Sequence, residues 1–289
     1  MVDIRIKNLA SALILLTPFL VLYTIFTIYP LAVAIHLSLY RTTPYGDYYV
    51  GLDNYVSILT GKDIRLNIGF SNVLVYGLFN AITLGLSLLV AWLLTRSITG
   101  KWSTVTQIVI LLPMVVSWVS LGLAWTTLLS AIRNLGRAAG VMWLDNPLVY
   151  TSTAKWTVGA LITWGSLGYA TLLYISTIRS LPMDYFEAAM IDGASDWQIF
   201  RHVTVPLLKH IIIFQLIGAV VAAFNIFDPV AVLTGGGPAW SSTSVAYYAA
   251  RQVQYAWNVG MCAAIGVVVI AIVLGLNLFQ FRLIYKRLV

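Results

Sequence analysis

The sequence predicts an all-α, polytopic membrane protein with six transmembrane helices. Of its 289 residues 60% are hydrophobic and 9% are charged, against roughly 25% charged residues in a soluble domain. The mean hydropathy is +0.88. Polar residues are therefore too few to coat a globule, which excludes an ordinary soluble enzyme, a disordered tail and a nucleic-acid-binding module.

Charge-free stretches of roughly 18 residues or more are long enough to cross the hydrocarbon core of a bilayer. Six such stretches place the predicted spans at about residues 9–39, 70–95, 104–130, 156–178, 209–232 and 258–281. The first is too long for a cleaved signal peptide and lacks a small-residue cleavage site. Pro18 and Pro30 predict that it is kinked or extends beyond the bilayer.

A seventh charge-free stretch covers residues 229–250. Its Gly235–Pro238 and Ser241–Ser244 runs would leave backbone groups unpaired in lipid. We expect an exposed loop here.

An even number of spans puts both termini on the same side of the membrane. Ten of the 17 basic residues fall on that side if it is cytoplasmic, and cytoplasmic loops are enriched in Lys and Arg. The net charge of +7 thus reflects topology. We expect one transmembrane domain over residues 1–289, multi-pass in the cell (inner) membrane, with both termini cytoplasmic.

The segment 179–208, between the fourth and fifth spans, is the longest polar insert on the predicted cytoplasmic side. It holds four of the ten acidic residues, including the only glutamate, Glu187. Asp184 as a cap with Glu187 three residues later predicts a short helix. Gly193 permits the left-handed turn that would end it.

A second short helix is predicted directly after this turn. Ser195 and Gln198 have the spacing of a capping box, and Pro206 should stop the helix. Trp197 and Phe200 give it an apolar face. An alternative is that the two aromatics only anchor the segment in the headgroup layer.

The spacing Glu187-Ala188-Ala189, three residues, Gly193, nine residues, Val203, one residue, Val205-Pro206 resembles the EAA signature of binding-protein-dependent ABC importer permeases. The two valines stand where isoleucine and leucine are commoner. The resemblance implies a type I ABC importer architecture in which an EAA coupling helix docks in a cleft of an ATPase subunit. The resemblance implies this docking for Glu187, Ala188, Ala189 and Gly193, and Trp197 and Phe200 can hold the segment on the transmembrane bundle. With Asp192 and Pro206 of the matched motif, these residues are the predicted coupling set.

The resemblance extends from about Val50 to the C-terminus and is closest to the carbohydrate-uptake class of the maltose and glycerol-phosphate type. Leu233–Pro238 and Ser180–Pro182 are among the segments that carry it. It implies a second homologous permease subunit, two ATPase subunits, an extracytoplasmic solute-binding protein and a sugar substrate as partners.

No phosphate-binding loop is present, because Val56 and Thr95 stand where the pattern before Gly61-Lys62 and Gly100-Lys101 requires glycine. We therefore expect a non-catalytic chain without cofactor, with ATP and magnesium bound by the partner ATPase. His36, His202 and His210 lack metal-ligand spacing.

Polar and aromatic residues inside the spans are the candidates for the substrate path. Trp164, Gly165, Ser166 and Tyr169 offer an aromatic face and hydroxyls, and in maltose-type relatives this stretch lines the sugar site. Asn225 and Asp228, near the end of the fifth span, should avoid lipid. Neighbouring Ala222, Ala223 and Ile226 are apolar where some relatives are polar.

Three alternatives remain open from the sequence. The importer could carry a non-sugar solute such as glycerol phosphate, a polyol or an osmolyte, although no Lys or Arg lies deep in a span to hold an anion. An ion-coupled secondary transporter would need ionisable residues in its spans, and Asp228 is essentially alone. A purely structural subunit would not need the capped acidic helix pair.

Overall fold

A computed structural model describes residues 15–96, 100–140 and 146–288. Residues 9–14 of the predicted first span lie outside them. The helices are, in chain order, α1 (Leu15–Leu37), α2 (Asp53–Leu59), α3 (Ile64–Arg96), α4 (Gly100–Val115), α5 (Trp118–Ala138), α6 (Ala154–Ser180), α7 (Asp184–Ile191), α8 (Asp196–Leu207), α9 (Lys209–Phe224), α10 (Asp228–Leu233), α11 (Val245–Gln254) and α12 (Val259–Leu288). A short 3₁₀ turn covers Pro147–Val149.

Among the described residues, four helices are long and apolar enough to cross a membrane, namely α1, α3, α6 and α12. The pairs α4–α5 and α8–α9 also qualify, but they are bent by 105° and 70°. The number of spans is therefore four, or up to six if each bent pair is one span.

The chain divides into two compact units. The first takes in the described residues of Met1–Lys62 together with Ala249–Ala271. In it, β1 (Tyr40–Thr43) pairs antiparallel with β2 (Gly46–Tyr49). Buried Asn54 fixes the entry to this hairpin by donating to the carbonyls of Ser38 and Tyr40, at 2.8 and 2.9 Å.

Helix α1 contains a π-helical turn over Thr24–Ile28, which ends two residues before Pro30. A proline has no N–H and its ring clashes with the carbonyl four residues earlier. The wider turn changes the hydrogen-bond register just ahead of that position. The π turn is the irregular part of α1 near Pro30, and the predicted kink or extension beyond the bilayer stays a prediction.

The second unit takes in Asp63–Tyr248 and the described residues of Ile272–Val289. Its centre is the packing of α3 against α6, with α9 also on α3 and α4 also on α6. A hydrophobic core beside the middle of α3 includes Tyr76, Val158, Leu161 and Val230, each 0% exposed.

The third predicted span, 104–130, is not one continuous helix. Helix α4 ends at Val115, two residues after Pro113, and α5 begins at Trp118. Ser117 caps the new helix by accepting a bond from the Ser120 N–H at 3.2 Å. Proline and an N-cap serine together explain the bend.

The fifth span is also shorter than its predicted range of 209–232. Helix α9 ends at Phe224 and α10 begins at Asp228. Pro229 disfavours helical backbone at Asp228 within a continuing helix, but proline fits the first turn of a new one.

The predicted exposed loop over 229–250 is wrong as well. This stretch contains α10 and the first part of α11, and Ser242, Thr243 and Ser244 are each 0% exposed. Asn72 donates to the carbonyls of Ser241 and Thr243, both at 2.8 Å, and the Tyr76 hydroxyl donates to the Ser242 carbonyl. Side chains of α3 thereby satisfy backbone groups that would otherwise require water.

Candidate functional site

The segment Met183–Leu207, here termed the coupling segment, is a helix pair joined by a tight turn. Helix α7 begins at Asp184 with Met183 as its N-cap, and no side chain caps it. The predicted role of Asp184 as the cap is therefore wrong, since Asp184 is the first helical residue. Gly193 adopts φ +76°, a conformation that costs other residues energy. The Ala194 N–H then bonds back to the Ala189 carbonyl at 3.0 Å.

Helix α8 begins with the predicted capping box. The Ser195 N–H donates to Gln198 Oε1 at 2.7 Å, and the Gln198 N–H donates to Ser195 Oγ at 3.4 Å. Pro206 does not stop this helix, contrary to expectation. A π-helical turn over Phe200–Thr204 precedes the proline, and the helix continues to Leu207.

One face of the coupling segment packs on the end of α3. Phe186, Ile199 and Phe200 are buried around Trp92. The Trp92 ring centroid lies 5.6 Å from that of Phe200 and 6.5 Å from that of Phe186. The partly buried Ala189 belongs to the same cluster. Burial of these rings fixes the segment to α3.

Arg96, the last residue of α3, joins both helices of the segment. Its guanidinium lies 5.4 Å from the ring centroids of both Trp92 and Phe186, within cation–π range. Its Nη2 is 3.7 Å from Asp196 Oδ1. The side chain of Arg96 is only 18% exposed, so one largely buried cation lies where α3, α7 and α8 meet.

The opposite face of the segment is free in this chain. Glu187, Ala188 and Asp192 are exposed, and Ile191 is 86% exposed. Trp197 is also exposed, although its ring stacks on Phe200 at 5.2 Å. The predicted coupling residues therefore separate by role: Ala189 and Phe200 face α3, whereas Glu187, Ala188 and Asp192 form a small, acidic, partly apolar surface. Gly193 and Pro206 are exposed at the turn and near the end of α8.

A cavity of about 280 Å³ lies between α3, α6 and α9. Polar side chains on its wall come from all three helices, and the remaining wall is apolar or small. The lining comprises Asn80, Thr83, Leu84, Ser166, Tyr169, Ala170, Leu173, Phe214, Gln215, Gly218, Ala219 and Ala222. We call it the α3–α6–α9 cavity.

A second cavity, of about 220 Å³, shares Ser166 and Tyr169 with the first. Its other lining residues come from α6 and the α4–α5 bend: Pro113, Met114, Val116, Trp118 and Gly165. A Cβ on Gly165 would lie 2.5 Å from the Trp118 ring, so this glycine allows α6 to approach the bend. Every described lining residue of the two cavities is uncharged.

The structure does not gather all the residues predicted for the substrate path. Trp164 lines a different cavity, where its ring lies 6.0 Å from that of Trp125. Asn225 is exposed and donates to the Val221 carbonyl of its own helix at 3.0 Å. Asp228 is exposed at the start of α10. Ser166 and Tyr169 come together because they lie three residues apart on one face of α6.

Arg96, Asn80, Thr83 and Gln215 are not among the residues predicted from the sequence. Asn80 and Gln215 carry a signal that could have identified them, since each is an amide within a long apolar helix. The contacts of Arg96 with both rings could not be predicted from the sequence, because Trp92 and Phe186 are far apart in the chain. Among the described residues no group of three or more His, Cys, Asp or Glu could hold a metal ion.

Comparison with known proteins identifies a family. Residues 69–288 match the model described as binding-protein-dependent transport system inner membrane component. The chain is 30% identical over 281 residues to the sn-glycerol-3-phosphate transport system permease protein UgpA of Agrobacterium fabrum, covering 95% of this chain and 94% of that protein.

It is 27% identical over 282 residues to the trehalose/maltose transport system permease protein MalF of Thermococcus litoralis, covering 93% of this chain and 92% of that protein. Among solved structures, a chain of a bacterial ABC transporter involved in import of the acidic polysaccharide alginate superposes with a TM-score of 0.82 at 20% identity. That match covers 98% of this chain and 97% of the other.

Proposed function

This chain belongs to the binding-protein-dependent transport system inner membrane component family, and we propose that it forms half of the translocation path for a neutral sugar or polyol. It is a membrane-embedded translocation subunit of an ABC importer. Two further points are proposed below: which surface docks the ATPase subunit, and which solute is transported.

The observation that carries the coupling role is the two-faced coupling segment. Its inner face is fixed to α3 by Trp92, Phe186, Phe200 and Arg96. Its outer face presents Glu187, Ala188 and Ile191 to solvent. Small and acidic residues allow a close approach by a partner that supplies cations and an apolar cleft. We infer that this partner is an ATPase subunit, with ATP and magnesium bound there and not on this chain.

Helix α3 supplies a physical path from that docking face to the cavity. Arg96 ends the helix, and Asn80 lies 16 residues earlier, about 24 Å along the axis at 1.5 Å per residue. A displacement of the coupling segment would carry α3 with it as a rigid element. The α3–α6–α9 cavity would then change shape, as alternating access requires.

The chemistry of the cavity walls favours a neutral, hydroxyl-bearing solute. Tyr169 offers an aromatic face, and Ser166 and Asn80 offer hydrogen bonds. The described lining residues include no Lys or Arg that would offset the cost of desolvating an anion. Glycerol phosphate is the second candidate, because the permease from Agrobacterium fabrum carries that name.

The complete importer would contain a second homologous permease subunit, two ATPase subunits and an extracytoplasmic solute-binding protein. One solved complex of a bacterial alginate ABC transporter includes an alginate pentasaccharide-bound periplasmic protein. The complex would lie in the cell (inner) membrane with the coupling segment and both termini in the cytoplasm.

Reconstitution with the partner subunits tests the proposal. Uptake of radiolabelled maltose, trehalose, glycerol and sn-glycerol 3-phosphate would be measured in proteoliposomes, with and without ATP and the binding protein. We expect uptake of at least one neutral solute that requires both. Uptake of glycerol phosphate alone would establish the second candidate, and uptake driven by a proton or sodium gradient without ATP would contradict an ABC importer.

A further inference from the structure

Gln215 is a buried amide without a hydrogen-bond partner for its Nε2 among the described residues. It is only 6% exposed, and it lines the α3–α6–α9 cavity from α9. A buried donor left unpaired is costly, because it has lost its hydrogen bonds to water and gained none in exchange. An unpaired amide on the wall of a cavity points to a ligand that completes its hydrogen bonding.

Two buried polar residues of α3 line the same space. The Asn80 amide donates to the Ala219 carbonyl at 3.1 Å, so its side-chain oxygen can accept a bond. The Thr83 hydroxyl donates to the Phe79 carbonyl at 2.8 Å, so its oxygen can accept as well. The cavity therefore offers a free donor from Gln215 and acceptors from Asn80 and Thr83, which is the set that a hydroxyl group satisfies.

The remaining walls suit a compact neutral molecule. Phe214 and Leu173 are apolar, and Gly218, Ala219 and Ala222 leave open space. The volume of about 280 Å³ is close to the lower limit of about 300 Å³ for small-molecule sites. Ser166 and Tyr169 line both cavities, so a solute held at Tyr169 is already in contact with this space.

We propose that Gln215, together with Asn80 and Thr83, forms a hydroxyl-binding subsite for the neutral sugar or polyol next to Tyr169. Gln215 lies in the half of α9 nearer the coupling segment, so the subsite receives the solute after Tyr169 on its way inward. This inference rests on the proposed import of a neutral solute. The alternative is that a polar side chain of the second permease subunit, and not the solute, forms the missing hydrogen bond with Gln215.

Gln215→Met tests the subsite in the assembled, reconstituted importer, because methionine keeps the length and helix propensity of glutamine. The matched control is Thr171→Val on α6. Thr171 is 1% exposed and its hydroxyl also has no partner among the described residues, but it does not line the cavity. The probe is whichever of maltose, trehalose and glycerol the wild-type complex imports.

We expect Gln215→Met to raise the KM for uptake about 3- to 10-fold, because the solute loses one or two hydrogen bonds. Thr171→Val should leave the KM unchanged. If Gln215→Met does not accumulate, Gln215→Asn shortens the reach of the amide and should raise KM in the same way. An unchanged KM in a wild-type-like complex would overturn the subsite. Failure of the Gln215 variants to bind the second permease, with Thr171→Val assembling normally, would assign the hydrogen bond of the amide to that subunit.

A labelling readout separates this proposal from the import function. A Cβ added at Gly218 would meet no atom within 4 Å, so Gly218→Cys fits in a Cys262→Ser background. The imported solute should slow modification of this cysteine by a water-soluble thiol reagent, and Gln215→Met should abolish that protection. Protection that persists in Gln215→Met would overturn the subsite, whereas failure of the wild-type complex to import any neutral solute would overturn the proposed function.

Discussion

Tyr169 is the residue at which the two cavities meet. Its side chain is 56% exposed, although the adjacent Gly168 and Ala170 of α6 are both buried. An aromatic ring held open beside Ser166 offers a flat apolar face and a hydroxyl to a solute. Trp164, the other aromatic predicted for the path, faces a separate cavity with Trp125. Whether each aromatic ring can contact the solute therefore depends on the cavity that it lines, and not on the residue type.

Replacing Tyr169 by alanine should raise the KM for uptake of the imported solute roughly 3- to 10-fold, since ring contacts are worth about 0.5–1.5 kcal/mol. Tyr169→Phe should lie between alanine and wild type. Trp164→Ala is the comparison, and its smaller expected effect follows from its place in a different cavity. Equal effects of the two alanine variants in transport assays on assembled complexes would contradict this assignment.

Gly193 fixes the angle between α7 and α8 through its φ of +76°. We expect Gly193→Val to destabilise the turn by roughly 1–2 kcal/mol and to reduce the ATPase subunits that co-purify with the chain. Gly85→Ala, in an ordinary helical position of α3 with open space around it, should leave assembly unchanged. Full ATPase recovery with Gly193→Val would show that the turn geometry does not matter for docking.

At the scale of elements, α3 is held to the coupling segment mainly by the packing of aromatic side chains. The ion pair between Arg96 and Asp196 contributes little, because the Asp196 side chain is 77% exposed. The guanidinium over Trp92 and Phe186 is shielded, and such contacts are worth about 0.5–2 kcal/mol. A cation at the C-terminus of α3 also complements the helix dipole. The planar guanidinium is therefore the part that links the three helices.

Arg96→Ala should leave the complex assembled but reduce solute uptake per ATP hydrolysed several-fold, about 5-fold for a loss of 1 kcal/mol. Arg96→Lys should restore only part of the coupling, because an ammonium is more strongly hydrated than a guanidinium and lacks its planar surface for contact with aromatic rings. Arg179→Ala, at the exposed end of α6, is the matched control. Parallel measurements of uptake and hydrolysis check the prediction, and an unchanged ratio in Arg96→Ala would contradict it.

At the scale of the whole molecule, composition was sufficient to predict the long helices but not the bends. Charge-free length indicates which residues enter the membrane, and α3, α6 and α12 lie where it places spans. Charge-free length does not predict the turn after Pro113 or the helix break before Pro229. The buried segment around Ser242 escaped prediction because its polar backbone is satisfied by Asn72 and Tyr76, 166 to 171 residues away. The cavity amides, Asn80 and Gln215, are isolated polar residues in two different apolar helices. Only the folded structure shows that they line the same cavity.

The predicted orientation can be tested with two single cysteines in a Cys262→Ser background. Ile191→Cys reports on the coupling segment and Ala239→Cys on the segment between α10 and α11, and both positions are exposed. The distribution of Lys and Arg predicts that a membrane-impermeant thiol reagent added outside intact cells modifies only the second. Modification of both from the same side would contradict this topology.

The anchoring of the Ser241–Thr243 backbone by Asn72 has a consequence for the timing of membrane assembly. The acceptor carbonyl of Ser241 is synthesised 169 residues after Asn72, which takes about 10–30 s at typical translation rates. During that interval the Asn72 amide and the Tyr76 hydroxyl need temporary partners, such as water or the insertion machinery. Helix α3 thus cannot reach its final hydrogen bonding until translation is nearly complete.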